Sequence, residues 1–510
     1  MQTALFLPII CIFLGSSLVR CPLFIAYCPN LFFKRLRAPL WHYICTSVKK
    51  NSTAMKHRYT LLVLAIVLVS SLMAQQTDSD SPVLAICPTA PEGYCSQHID
   101  TLAHCLRMRN DTAAVYIYHS VPYAYAERFR QPVLADGIEP ADDYIHSNVA
   151  CYQRTFAPDT TQQYSEAKIV LSEDDESPLT EDCLVLTINS PKPLDAAPKA
   201  NMPVLVYIHG GNYYAGGGER VATQLAEFAL REQVVTVTVT YRLGIFGYLY
   251  QPDSASVNLG LQDQLTALRW VHDNIGRFGG DADNITLAGQ SAGAQSVVYC
   301  LADTARVPIR RAVVFSAPMG LTTSKCLGNR RTRFVRRYLS PQDPWTCPAD
   351  TLMAAQNHYM QTHTASWHSL PFSPTGLPQM PAYGKQVNWP QQVVVCVQKD
   401  DGSMFGPEPL WKMLTDVVFA SPAKRYTRYL QKQGVDAQYH LFTWEPQGSP
   451  LKAAHCAELP LLLDGTEEYW VGSWIMGDVS ADEIRAKRAP FMDGFAHFMR
   501  TGEWTLQGEY

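Results

Sequence analysis

The sequence predicts an α/β fold in which a mostly parallel central sheet is flanked by helices. Three observations predict it. Short apolar and β-branched runs recur at residues 204–208, 234–240, 285–288, 312–315, 393–397 and 439–444. They are too apolar on both faces for a half-exposed strand and suit a buried parallel sheet. Between them lie helical patterns, as in residues 261–278, where Leu265, Leu268, Val271 and Ile275 share one face. Strands alternating with helices indicate a doubly wound architecture. A turn of small residues, Gly289 to Gly293, follows one strand directly and opens a helix.

Residues 78–201 carry weaker signals. Residues 341–390 are rich in Pro, Thr and Ser and read as an irregular cap or surface excursion. No internal repeat or low-complexity tract interrupts the chain, so residues 80–510 read as one domain.

The 510 residues are 47% hydrophobic and 17% charged, with a formal net charge of −4. This is an ordinary composition for a globular enzyme. No basic stripe or positive balance is read along the chain, so a nucleic-acid partner is not expected. Near the start, Met55-Lys56-His57-Arg58 precedes an uncharged apolar run and then Ala74. A basic segment, about 12 apolar residues and a small residue make a secretory signal over residues 55–74. The run is short of the roughly 20 residues that a membrane span needs, so no stable insertion is expected after cleavage. Translation is expected to begin at Met55, with residues 1–54 a non-native or disordered extension, and the product to be secreted or periplasmic. Ten of the 14 cysteines lie beyond Ala74, and spacing alone does not pair them.

Gly289-Gln290-Ser291-Ala292-Gly293 matches G-x-S-x-G between a strand and a helix. That context strains the serine on a sharp turn and presents its Oγ at the sheet edge, where a helix N-terminus favours developing negative charge. The fold this implies is the α/β-hydrolase fold, with Ser291 as nucleophile. Further blocks surround it: Val121-Pro122-Tyr123-Ala124 with Arg128-Phe129, Glu181-Asp182-Cys183-Leu184, His209-Gly210-Gly211, Tyr241-Arg242-Leu243-Gly244, Asn258 to Gln264, and Phe278-Gly279-Gly280-Asp281. In this order they resemble the type-B carboxylesterase/cholinesterase family, over most of the chain beyond Ala113.

A serine hydroxyl needs a base, and the base needs an orienting acid. In this fold they follow in the order serine, acid, histidine. His455, in Ala453-Ala454-His455-Cys456-Ala457-Glu458-Leu459-Pro460, follows the last strand and resembles the family's histidine block. The acid lies in Lys399-Asp400-Asp401-Gly402, where the family has Glu and this chain has Asp401, with Asp400 as the fallback. Aspartate is one carbon–carbon bond shorter, a reach of roughly 1.5 Å. The resemblance assigns the oxyanion hole to the N–H groups of Gly211, Asn212 and Ala292. Asn212 replaces a usual glycine, and asparagine tolerates left-handed backbone. Gln290 replaces a usual glutamate, for which a modest effect on the histidine is expected and no loss of activity.

The resemblance also implies a Cys151–Cys183 disulfide, a second bridge between Cys326 and Cys347, and buried ion pairs Arg128–Glu181 and Arg242–Asp263. The loop between Cys151 and Cys183 lacks the tryptophan of relatives that bind quaternary ammonium, so a cholinesterase is not expected. The short interval between Asp401 and His455 suggests a reduced cap and an open site for bulky esters. The expected activity is hydrolysis of small-molecule or bulky carboxylic esters through a Ser-His-Asp triad and an acyl-enzyme, with no cofactor and no metal. An adhesion or scaffold protein of the same family and an amidase or peptidase on the same fold are the alternatives.

Overall fold

The computed structural model describes residues 98–101, 105–110, 112–138, 149–153, 177–196, 201–220, 223–251, 257–302, 307–363, 370–378, 390–464, 470–506 and 510. The expected extension and signal segment lie outside the described residues. The chain divides into Met1–Met73 and Ala74–Tyr510, and all that follows concerns the second unit.

A ten-stranded sheet forms the centre, in the order β1 (His98–Thr101), β2 (Leu106–Arg109), β3 (Ala114–Pro122), β8 (Val185–Ser190), β10 (Val235–Val239), β9 (Met202–Ile208), β11 (Gly280–Gln290), β12 (Arg311–Phe315), β13 (Gln392–Gln398) and β14 (Asp436–Phe442). Two small pairs stand apart: β4 (Ala124–Tyr125) with β5 (Val133–Leu134), and β6 (Ala150–Cys151) with β7 (Leu179–Thr180). From β10 through β9 to β14 every pairing is parallel. From β1 to β10 through β3 and β8 every pairing is antiparallel. The weakly patterned residues 78–201 supply that antiparallel part.

The parallel strands show why their sequences lack alternation. Val204, Val206 and Ile208 of β9 enter the core on one face, and Leu205 and Tyr207 enter a second core on the other. In β13, Val393, Val395 and Val397 point one way and Val394 and Cys396 the other. A strand covered by helices on both sides must be apolar at every position. The threonines of β10 meet this demand differently. Thr238 donates to the Gly218 carbonyl at 2.6 Å and Thr236 to the Leu225 carbonyl at 3.2 Å, so the buried hydroxyls have acceptors.

Three expectations change. Residues 341–390 are not wholly irregular, because a helix runs over Ala349–Thr362 and packs its Leu352, Ala355 and Tyr359 into a third core with Phe129, Tyr213 and Ala292. Its partner is helix Lys325–Leu339, which carries six Lys and Arg and no acid. A basic stripe therefore exists after all; it is visible only once helical geometry collects the charges. Cys326 and Cys347 are both free thiols. Cys326 is exposed on the first turn of Lys325–Leu339 and Cys347 is buried in the third core, on opposite sides of the solvent boundary.

The Cys151–Cys183 disulfide is present, with Cα atoms 5.1 Å apart. Both expected ion pairs form, but they differ in burial. Arg242 and Asp263 are 5% and 0% exposed, with guanidinium contacts of 2.8 and 2.6 Å to the two carboxylate oxygens. Arg128 and Glu181 are 15% and 31% exposed, so the second pair is only half-buried.

Candidate active site

Four parallel strands end at one edge of the sheet, the usual place for a site in such a fold. Their last residues are Ile208, Gln290, Gln398 and Phe442. Each is followed by a segment carrying an expected site residue.

Ser291 follows β11 at once, in left-handed backbone with φ 54°. Its N–H donates to the Phe315 carbonyl at 2.9 Å, and its own carbonyl accepts from Gln295 in the first turn of helix Ala292–Ala302. Such a conformation in a non-glycine residue is held by its surroundings. Gly293 shows how tightly: a β-carbon there would lie 2.1 Å from the Ile208 carbonyl oxygen. The pattern of small residues is thus set by one chain crossing another.

Asp401 begins a short 3-10 turn, Asp401–Phe405, just after β13. The side chains of Asp401 and His455 are fully buried and meet through Oδ1 and Nδ1 at 2.7 Å. The other carboxylate oxygen accepts from Ser316 Oγ at 3.0 Å and from the Gln398 N–H at 2.9 Å. Aspartate's shorter side chain still brings Oδ1 within hydrogen-bond distance of the imidazole. Asp400, the fallback acid, has a buried Oδ2 that accepts from no described residue, and it is joined through its backbone, its N–H donating to the Ala453 carbonyl at 2.9 Å. The bond binds the acid turn to the segment carrying His455. The imidazole packs against Phe405 and Phe419, with ring centroids 5.4 and 5.1 Å away. One ring nitrogen is therefore fixed by a carboxylate, and the ring is packed by two phenylalanines that themselves stack at 6.0 Å.

The remaining nitrogen, Nε2, lies 3.2 Å from Nε2 of Gln290, the residue before Ser291. The amide donates to its lone pair and also to Cys456 Sγ at 3.1 Å. Gln290 thus links the serine turn to the histidine segment, in a role that its place next to the serine alone did not reveal.

After β9, Gly211 and Asn212 both take left-handed backbone, with φ 99° and 55°. Asparagine accepts this conformation. The Gly211 carbonyl receives the N–H groups of Tyr214 and Ala215 at 3.1 and 3.0 Å, which holds the turn shut. A β-carbon on Gly210 would stand 3.2 Å from Ser291 Cβ, so this loop lies against the serine. Ala292 is the first residue of the helix and is buried. His209 stacks on Tyr241 at 4.5 Å and contacts the Gly210 carbonyl with Nδ1 at 2.8 Å. Burial lowers its pKa to about 4, so it stays neutral and shapes the loop.

Sequence reasoning missed Ser316, Gln398, Glu458 and the two phenylalanines. Ser316 carried one usable signal, as the residue just past a buried parallel strand at the same edge. Glu458, fully buried, accepts from Gln398 Nε2 at 2.8 Å. Burial pushes its carboxyl up to about 7, while His455 nearby acts the other way. Among the described residues no cluster of His, Cys, Asp and Glu is arranged to hold a metal ion. No helix among them is long and apolar enough to cross a membrane.

Known proteins resemble this chain. The model of the Carboxylesterase family matches residues 105–405, which include Ser291 and Asp401. A probable N-octanoylanthranilate hydrolase of Rhodococcus erythropolis is 29% identical over 425 residues, covering 77% of this chain and 90% of that protein. Para-nitrobenzyl esterase of Bacillus subtilis (strain 168) is 29% identical, over 63% of this chain and 75% of its own. Liver carboxylesterase 1 of Oryctolagus cuniculus is 35% identical over a shorter stretch, 42% of this chain and 38% of its own. A solved PNB esterase structure superposes with a TM-score of 0.64 at 24% identity, over 80% of this chain and 91% of that one, and shares its fold. The chain is a carboxylic-ester hydrolase with the α/β-hydrolase fold, and it belongs to the carboxylesterase family.

Proposed function

We propose that ester hydrolysis here proceeds through an acyl-enzyme on Ser291, with His455 as general base and Asp401 as the orienting acid. The observation that carries this reading is the buried 2.7 Å contact between His455 Nδ1 and Asp401, at the same sheet edge as the strained Ser291. With Nδ1–H donated to the carboxylate, Nε2 is the nitrogen left to take the serine proton, and the Gln290 amide that donates to it at 3.2 Å must yield that position when the serine reacts. Attack by Oγ on the ester carbonyl then breaks the C–O bond, and the imidazolium returns its proton to the leaving alcohol. Water repeats the sequence and frees the acid. The developing oxyanion is stabilised by the N–H groups of Gly211, Asn212 and Ala292. The ester taken is a small-molecule or bulky one.

Export is part of the same reading. It is supported by the basic and apolar segment from Met55 to Ala74 and by the Cys151–Cys183 disulfide, a bond that persists in oxidising compartments.

The test is hydrolysis of p-nitrophenyl esters of graded acyl length by the wild type and by Ser291→Ala, followed by mass analysis of the peptide carrying Ser291 after a brief reaction. Wild type turns over and its serine peptide gains the acyl mass, while Ser291→Ala loses roughly 10⁴- to 10⁶-fold in kcat. Equal rates in the two proteins would overturn the reading.

A further inference from the structure

We propose that the exposed face of helix Lys325–Leu339 is a docking surface for an anionic lipid bilayer. Lys325, Arg330, Arg333, Arg336 and Arg337 are all exposed. At 100° per residue they fall within one arc of about 140°, and they extend along roughly 18 Å of the helix axis. The sixth cation, Arg331, turns inward and donates to the Leu370 carbonyl at 3.0 Å.

None of the five outward cations forms an ion pair with a described residue. The acids that follow in sequence, Asp343 and Asp350, are exposed and pair with none of them. The arrangement works against the helix itself. Arg330 with Arg333, Arg333 with Arg336 and Arg333 with Arg337 are like charges three or four residues apart. Lys325 adds a cation at the positive end of the helix dipole. Such a face, on a chain of net charge −4, is complementary to a partner rich in negative charge.

The aromatic edge of the face points to lipid in preference to nucleic acid. Phe334 and Tyr338 border the cations, and Tyr338 is 43% exposed. Their ring planes lie 17° apart, and both rest on His358, at 5.8 and 5.1 Å. Ring faces engaged with one another are poor platforms for stacked bases. A tyrosine with an apolar body held by neighbours and its remaining surface open to water suits the headgroup layer. The five exposed cations also lie along one helix, a line of charge suited to a flat layer of phosphates. An esterase held at such a layer acts where apolar esters concentrate.

The experiment is sedimentation of the purified full chain with vesicles of phosphatidylcholine alone and of phosphatidylcholine mixed with phosphatidylglycerol. The wild type is expected to bind only the mixed vesicles, and less as salt rises. Arg330→Gln/Arg333→Gln/Arg337→Gln is expected to bind them roughly 100-fold more weakly. Tyr338→Ser should weaken binding several-fold. All these proteins should hydrolyse a water-soluble ester at the wild-type rate, which separates loss of docking from loss of folding. The proposal is overturned by equal binding to both vesicle types, by binding to neither, or by a triple variant that binds as the wild type does. Tight binding of an oligonucleotide with no vesicle binding would also overturn it.

Discussion

Two parts of the molecule handle charge in opposite ways. At the strand ends, Asp401 is fully buried and receives three donors: His455 Nδ1, Ser316 Oγ and the Gln398 N–H. On helix Lys325–Leu339, five cations share one face, exposed and without carboxylate partners among the described residues. A buried charge must be matched atom by atom, because each unpaired polar group keeps its full desolvation cost. A solvated charge needs no partner, since water screens it and its mutual repulsions cost only tenths of a kcal/mol. On the two readings proposed above, dense hydrogen bonding marks where the molecule holds a charge for chemistry, and bare clustered charge marks where it meets something outside itself.

The comparison is tested most severely at Asp401. Asp401→Asn keeps the shape but turns an N–H toward His455 Nδ1, which favours the wrong tautomer. A loss of about 10⁴-fold in kcat is expected with KM little changed. Steady-state kinetics on a soluble ester checks it, and a loss below tenfold would show that the three donors do not set the histidine's tautomer.

Glu458 probes the same buried region through pH. Its folded pKa, about 7, lies above the ordinary glutamate value because the carboxyl is buried. In such a case the stabilising contribution is present below the unfolded pKa and is lost as pH rises through the folded one. Glu458→Gln keeps an acceptor for Gln398 and removes the titration. Relative to wild type, the variant should gain on the order of 1–3 kcal/mol between pH 4.5 and pH 8. Thermal melts at the two pH values measure this, and parallel curves would rule it out.

The smallest effect belongs to the helix face. Arg330→Gln/Arg333→Gln/Arg337→Gln should leave the melting temperature unchanged or raise it slightly, by under about 1 kcal/mol in stability, because it relieves like-charge contacts. A large destabilisation would mean that the cations are structural and would erase the contrast with Asp401.

Much of the site was legible in sequence because its strongest constraints are local. G-x-S-x-G is dictated by a chain crossing, where Gly293 passes the Ile208 carbonyl with no room for a side chain. The Asp401 turn and the His455 segment follow strands whose apolar runs stand out. The rest was not legible. Ser316, Phe405 and Phe419 meet His455 or Asp401 only after three separate loops converge. The family-implied bridge from Cys326 to Cys347 failed for a similar reason, since helix Lys325–Leu339 turns Cys326 outward while Cys347 enters the core.

By itself, then, the sequence determined the alternation of strands and helices from residue 204 onward, the sharp serine turn, and the chain order of Ser291, Asp401 and His455. Periodicity and steric exclusion act over a few residues, and a linear chain records them. Only the tertiary structure decided which oxygen of Asp401 faces His455, that Gln290 rests on the histidine's other nitrogen, and that the weakly patterned first strands pair antiparallel. It also gathered five cations on one face. These outcomes depend on distances between segments far apart in the chain, which packing alone fixes.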